Sequence, residues 1–296
     1  MSAQGNWQTE RPNIRERTKF MLNNDLFSDV KFVTRKFEGK TETRQVIPAH
    51  KFVLSIGSPV FQDMFYGATP ETRASIELPG IDGEYDSLLE LFRYLYSDEV
   101  NINASNITKV LYLAKKYVVP SLVDKCIQYL RDMLSSSNVF EILPTAEKLE
   151  KKELIDKCWE VIDSQSEAAM KSDGFTTIEH SLLEAVVSRD TLTMNEVGLF
   201  KAVNLWATKK CEDQGLTANG EEKRRILGDK VVKAIRFPVM KRHEFASVVA
   251  DAKILTPDEV INFFKFFSSA AAAPKGFLNK KRSGLGKSYK LRKPRS

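Results

Sequence analysis

Phe27-Ser-Asp-Val-Lys-Phe32, followed by Ile47-Pro-Ala-His-Lys-Phe-Val-Leu-Ser-Ile-Gly-Ser-Pro-Val-Phe-Gln-Asp-Met-Phe65, is the stretch on which the fold turns. In the first run Val30 and Phe32 point one way and Asp29 and Lys31 the other, the period-two pattern of a strand with one buried face. A loop and a second strand then lead to a short buried helix carrying Phe52, Val53, Leu54 and Ile56. Gly57-Ser58-Pro59 breaks that helix and starts another, with Pro59 in its first turn and Val60, Phe61, Met64 and Phe65 as its apolar stripe.

On the N-terminal side, residues 1–12 read as a flexible arm. Asn13 to Asn24 predicts a helix with Ile14, Thr18, Met21 and Leu22 on one narrow apolar face. A small domain leaves such a face exposed, which predicts an isologous contact with a second copy. Phe37 to Thr43, mixed in charge and holding Gly39, reads as a solvated hairpin-like loop. After a polar loop from Gly67 to Arg73 comes a short strand at Ser75 to Pro79.

Beyond Asp82-Gly83, helical stripes follow at Leu88, Leu91, Phe92 and Leu95, then at Ile107, Val110, Leu111, Ala114 and Val118. Pro120 ends the second of these, because the residue before a proline is pushed out of helical geometry. Leu122, Cys126, Leu130 and Met133 line one more helix, and Ser135-Ser-Ser137 marks a boundary. From Asn138 onward only helices are predicted. Asn138 and Glu141 give a capping-box-like start, and Leu199, Phe200, Val203, Trp206 and Ala207 the strongest amphipathic signal. The expected fold class is α+β, a small sheet covered by helices at 13–134, followed by an all-helical domain at 138–267 and an alanine linker with a basic tail at 268–296.

A chain of 296 residues with 42% hydrophobic content can give each of two domains a core. The net charge of +6 is a property of the tail: nine basic and no acidic residues lie between Lys275 and Ser296, leaving 36 basic against 39 acidic elsewhere. Three scattered cysteines, Cys126, Cys158 and Cys211, argue for reduced thiols, with burial as small apolar side chains the plain reading. Met1 to Glu10 is polar, and no apolar run reaches the roughly 18 residues a membrane span requires. A soluble protein of the cytoplasm, or of the nucleus as well, is expected.

Several further runs fall in one order. Leu91-Phe-Arg-Tyr-Leu-Tyr-Ser-Asp-Glu-Val100 resembles the fourth-helix signature of BTB (POZ) domains, and Tyr112-Leu-Ala-Lys-Lys-Tyr-Val-Val-Pro-Ser-Leu122 resembles the helices that close that fold. Ile235-Arg-Phe-Pro-Val-Met240, with Glu244-Phe245 and Ile254-Leu-Thr256, is similar to the late part of a BACK domain. The wording is nearest to proteins that carry BTB, BACK and a C-terminal PHR β-sandwich, which resemble substrate adaptors of cullin-3 ubiquitin ligases. The resemblance runs from about Pro12 to Phe267, and a PHR module is expected to be absent, since residues 276–296 hold too few apolar side chains for a core.

The resemblance implies a homodimer with Asp29, His50 and Lys51 at or near its groove, beside the stripe Ile14, Met21 and Leu22. Asp29 paired with Lys51 fixes strand against helix, within one protomer or across two, because a buried carboxylate needs a partner. For cullin-3, the resemblance carries over Met64, Phe65, Tyr66, Glu71, Tyr112 and Tyr117, with Val139 to Leu149 from the second domain. Aromatic anchors rimmed by an acid suit a docked helix, while Met64 and Phe65 equally suit a core. Many cullin binders place an apolar residue two before the loop glutamate, where this chain has Thr69. A protein substrate is implied and its identity is not.

Catalysis has little support: His50, His180 and His243 are not spaced with cysteine or carboxylate as a metal site, and no nucleophile elbow occurs. No enzyme activity, cofactor or metal is expected. Ser283-Gly-Leu-Gly-Lys-Ser288 resembles the end of a phosphate loop but lacks its first glycine and a preceding strand. The tail residues Lys280, Lys281, Arg282, Lys290, Arg292 and Lys293 admit nucleic acid, an anionic membrane or nuclear import, or else a solvated linker.

Overall fold

A computed structural model describes residues 6–38, 41–79, 83–269 and 272–286, the side chains of 37 and 38 excepted. The chain divides after Asp132 into two compact units.

In the first unit, β1 (Val30–Glu38) pairs antiparallel with β2 (Thr41–Ala49), from Val30 opposite Ala49 to Glu38 opposite Thr41. The short β3 (Ser75–Glu77) lies parallel on the other side of β1, with Phe32 opposite Ile76. The expected loop at Phe37 to Thr43 is therefore corrected: the ladder runs through Phe37–Glu42 and leaves two residues between the strands. Its outer end is exposed, so polar residues pair there without an apolar alternation to announce them.

The described helices of this unit are α1 (Ile14–Met21), α2 (Lys51–Gly57), α3 (Pro59–Tyr66), α4 (Tyr85–Ser97), α5 (Ile107–Lys116) and α6 (Pro120–Asp132), with α4 lying against β1 and β2. Ser58 ends α2 and caps α3, its hydroxyl accepting the Phe61 N–H and donating to the Tyr117 carbonyl at 2.6 Å. Phe32, Phe61 and Phe92 are fully buried and meet edge to face with ring centroids 5.0 to 6.1 Å apart. Each such ring contributes about 1.5–3 kcal/mol by leaving water.

Three expectations at the N-terminal side change. The first helix stops at Met21, with Leu22 already extended, and Thr18 turns onto α4 by donating to the Tyr96 carbonyl at 2.6 Å. The arm at residues 6–12 is not loose, because Trp7 stacks on Phe20 at 5.0 Å and the Arg11 guanidinium sits 3.9 Å over the same ring. In α2, Val53 and Leu54 are buried, but Phe52 and Ile56 are 66% and 69% exposed.

The second unit is built from α7 (Val139–Lys148), α8 (Lys152–Ser164), α9 (Ser166–Met170), α10 (Asp173–Thr177), α11 (His180–Ser188), α12 (Glu196–Asp213), α13 (Gly220–Ala234), α14 (Arg242–Glu244) and α15 (Pro257–Ser268). The capping box expected at Asn138 does not form; its side chain turns back to the Ser135 N–H and the Met133 carbonyl. Gly228, at φ +69°, kinks α13, a conformation glycine adopts without a Cβ penalty. Phe200, Phe237, Phe245 and Phe263 are buried together, Phe237 lying 5.6 Å from Phe263 and 5.7 Å from Phe200.

Candidate functional site

The helix–loop–strand segment of the first unit positions most of the expected contact residues. Pro59 sets the entry of α3, whose period then sends Phe61 and Phe65 inward and leaves Tyr66 60% exposed. Phe65 is buried and stacked 6.1 Å from Phe61, and Tyr117 is buried with its ring 4.5 Å from Phe61. Both are thereby removed from the docking set: they face the same aromatic core and have no ring surface to offer. Tyr66, Tyr112 at 44% exposure and the half-buried Met64 remain accessible.

Glu71 is held in a local clasp. Its carboxylate accepts the Arg73 backbone N–H at 2.9 Å and the Arg73 guanidinium at 2.5 to 3.0 Å, while its own N–H donates to the Met64 carbonyl at 2.7 Å. The Arg73 hydrogen bonds hold the carboxyl down at about 2. The loop after α3 thus carries an ionised acid paired with Arg73, with Thr69 in the place of an apolar residue.

Among the expected dimer residues, it is the Asp29–Lys51 pairing that differs from the expectation. Ile14 is 71% exposed, whereas Met21 and Leu22 are half-buried. Asp29 is exposed rather than buried, and what it holds is the Lys51 backbone N–H at 2.8 Å, so it caps the start of α2 instead of pairing with the ammonium. The Lys51 ammonium reaches the Glu71 carbonyl at 3.5 Å and lies 5.4 Å from the Phe65 ring. His50 is buried, with Nε2 at 2.7 Å from the Leu26 carbonyl and Nδ1 at 2.8 Å from the Tyr96 hydroxyl. A carbonyl only accepts, so in the neutral ring Nε2 carries the hydrogen and Nδ1 accepts from Tyr96.

The exposed pair Phe52 and Ile56, one turn apart on α2, was missed as a surface. Four apolar residues in seven made the helix read as buried on every side, and only their i, i+4 spacing separates this pair from Val53 and Leu54.

In the second unit the tail reading is corrected at Arg282. Its side chain is buried and donates from Nε to Glu196 Oε1 at 2.7 Å, while Phe277 packs 5.0 Å from Phe263. Residues 274–286 are therefore held on the helices and are not a solvated linker. Lys280 and Lys281 are exposed; Lys290, Arg292 and Lys293 lie outside the described residues. The 283–286 run forms a 3₁₀ turn with Ser283 donating to the Asp190 carbonyl; Lys287 and Ser288 of the phosphate-loop-like run lie outside the described residues. From the second unit, Val139, Phe140, Ile142, Leu143 and Ala146 of α7 are buried in its own core.

Among the described residues, no group of three or more His, Cys, Asp or Glu side chains is gathered as for a metal ion, and no helix is long and apolar enough to cross a membrane.

Comparison with known proteins follows the same division. The family model for the BTB/POZ domain matches residues 19–134, and that for BACK, described as BTB And C-terminal Kelch, matches residues 139–250. BTB/POZ domain-containing protein 6 of Xenopus tropicalis is 40% identical over 281 residues, covering 95% of this chain and 52% of that protein. BTB/POZ domain-containing protein 3 of Homo sapiens is 39% identical over 280 residues, again covering 95% and 52%. The chain spans about half the length of the curated relatives it matches.

Proposed function

The chain is a BTB–BACK protein, and from that premise we propose that it works as a dimeric, substrate-specific adaptor of a cullin-3 RING ubiquitin ligase. Proteins of this architecture are in general non-catalytic adaptors whose BTB domains dimerise and bind cullin-3, and the proposal assigns no bond-making chemistry to this chain.

The observation that carries the reading is the exposure of Tyr66 and Tyr112, while Phe65 and Tyr117 of the same expected set are buried. An exposed tyrosine gives a large apolar face at small entropic cost, and the Glu71–Arg73 pair in the loop after α3 supplies a polar rim. Dimerisation is supported by Ile14, Phe52 and Ile56, apolar side chains left in water at 66 to 71% of their full exposure. Two linked copies engage a ligase or substrate more tightly without any added contact. The proposed location is the cytoplasm, where three buried free thiols stay reduced.

The test is capture of purified cullin-3 by the full chain and by Tyr66→Ala, Tyr112→Ala and Glu71→Ala variants. Loss of capture by the variants supports the assignment; full retention in all three removes it. Stable dimers that capture no cullin-3 support instead a scaffold outside the ligase system.

A further inference from the structure

The helical unit contains a socket shaped for one guanidinium, and the chain's own Arg282 fills it. Arg282 is 2% exposed. Its Nε and Nη2 donate to the two oxygens of Glu196, at 2.7 and 3.3 Å. Nη2 also donates to the Ala234 carbonyl at 3.0 Å, and Nη1 to the carbonyls of Val187, at 2.9 Å, and of Arg189. Each of the five N–H groups of an arginine therefore has an acceptor.

The acceptors come from helix ends. Val187 lies in the last turn of α11 and Ala234 is the last residue of α13, so their carbonyls lack an intrahelical partner and lie at the negative ends of two helices. The Glu196 carboxylate, at the first position of α12, completes the ring. A lysine ammonium, with three donors and no planar fork, cannot satisfy this arrangement.

Five residues earlier, Phe277 fills an aromatic pocket, 5.0 Å from Phe263 and 5.7 Å from Phe237. Leu278, Asn279, Lys280 and Lys281 between the two anchors are exposed. The segment is thus held by side chains inserted into two pockets, as a groove holds a peptide.

Two contacts of the socket do not involve the strap: Glu196 accepts the Arg236 backbone N–H at 3.0 Å, and the Arg236 side chain pairs with Asp190 at 2.7 Å, while Arg236 Nη1 donates to the Lys280 carbonyl of the strap at 3.0 Å. With the strap docked, the buried Arg236 Nε has no hydrogen bond, a cost that a different occupant can remove.

We propose that these two pockets form a peptide-recognition site of the helical unit, closed in cis by residues 274–286 and opened by a segment of another protein that carries an aromatic residue and, five positions later, an arginine. The pockets lie within one unit, so the site stands or falls apart from the cullin-3 reading.

The test titrates a fluorescent peptide of residues 272–286 into the full chain carrying Phe277→Ala and Arg282→Ala, which empties both pockets. Saturable binding is expected, weakened roughly tenfold or more when the peptide itself carries Arg282→Lys or Phe277→Ala, and similarly weakened in the unsubstituted chain, whose pockets are filled. Equal binding of all three peptides, or none to a folded double variant, overturns the proposal. If the double variant does not fold, hydrogen exchange on the unsubstituted chain decides. Exchange of the Phe277 and Gly284 amides by local opening, ahead of Val203 and Trp206 in α12, supports the site; exchange only with global unfolding makes the segment permanent core and overturns it.

Discussion

The Tyr96 hydroxyl accepts the His50 backbone N–H at 2.9 Å and donates to His50 Nδ1 at 2.8 Å, so one phenol anchors both the start of α2 and its buried imidazole. Burial pushes the phenol well above its ordinary range, with the Asp29 charge adding to the shift against the opposing His50 hydrogen bond. The hydroxyl therefore stays protonated in the folded chain through and above the ordinary phenol range. Tyr96→Phe removes it and leaves two buried polar groups of His50 unmatched. The expected loss is about 1–3 kcal/mol, measured as a lower midpoint of urea unfolding.

Four aromatic residues of the first unit are expected to separate into two groups. Phe65→Ala and Tyr117→Ala open cavities beside Phe61 and should each lower stability by about 3–5 kcal/mol. Tyr66→Ala and Tyr112→Ala change exposed rings and should stay within about 0.5 kcal/mol of the parent while abolishing cullin-3 capture. Denaturant unfolding read beside capture checks both halves.

The clasp between Glu71 and Arg73 gives a pH dependence of known sign. A carboxyl lowered from 4.5 to about 2 contributes stability that is fully present above its ordinary value and is lost as pH falls from 4.5 toward 2. A carbon-13 titration of the Glu71 carboxyl should show a midpoint near 2, returning toward 4.5 in an Arg73→Gln variant. An unchanged midpoint in that variant contradicts the assignment of cause.

Burial pushes the Cys126 and Cys158 thiols up to about 12, so neither offers a thiolate near neutral pH. Ellman's reagent should leave both unlabelled in the folded chain and label all three cysteines in denaturant. Rapid labelling of either in the folded state contradicts the burial of Cys126 in α6 and of Cys158 in α8.

What the sequence disclosed was what repeats locally. Val30 and Phe32 alternate because one face of the sheet meets a core, and Gly57-Ser58-Pro59 punctuates two helices through backbone geometry alone, so strand, break and helix were all readable. The outer hairpin at Phe37 to Thr43 was not, because paired strands in water carry no apolar rhythm. Arg282 was unreadable for a different reason: its acceptors Val187 and Glu196 lie 95 and 86 residues away, and nothing in a run of basic residues distinguishes a buried member from solvated ones. The split between exposed Phe52 and buried Val53 was equally hidden, since neighbouring residues of one helix differ only in the direction they face.

The central claim, a dimer that engages cullin-3, is tested most directly by light scattering on an equimolar mixture of the full chain and the N-terminal region of cullin-3. The account predicts a single species with the mass of two copies of each. Separate peaks, with the chain eluting as a monomer, contradict it.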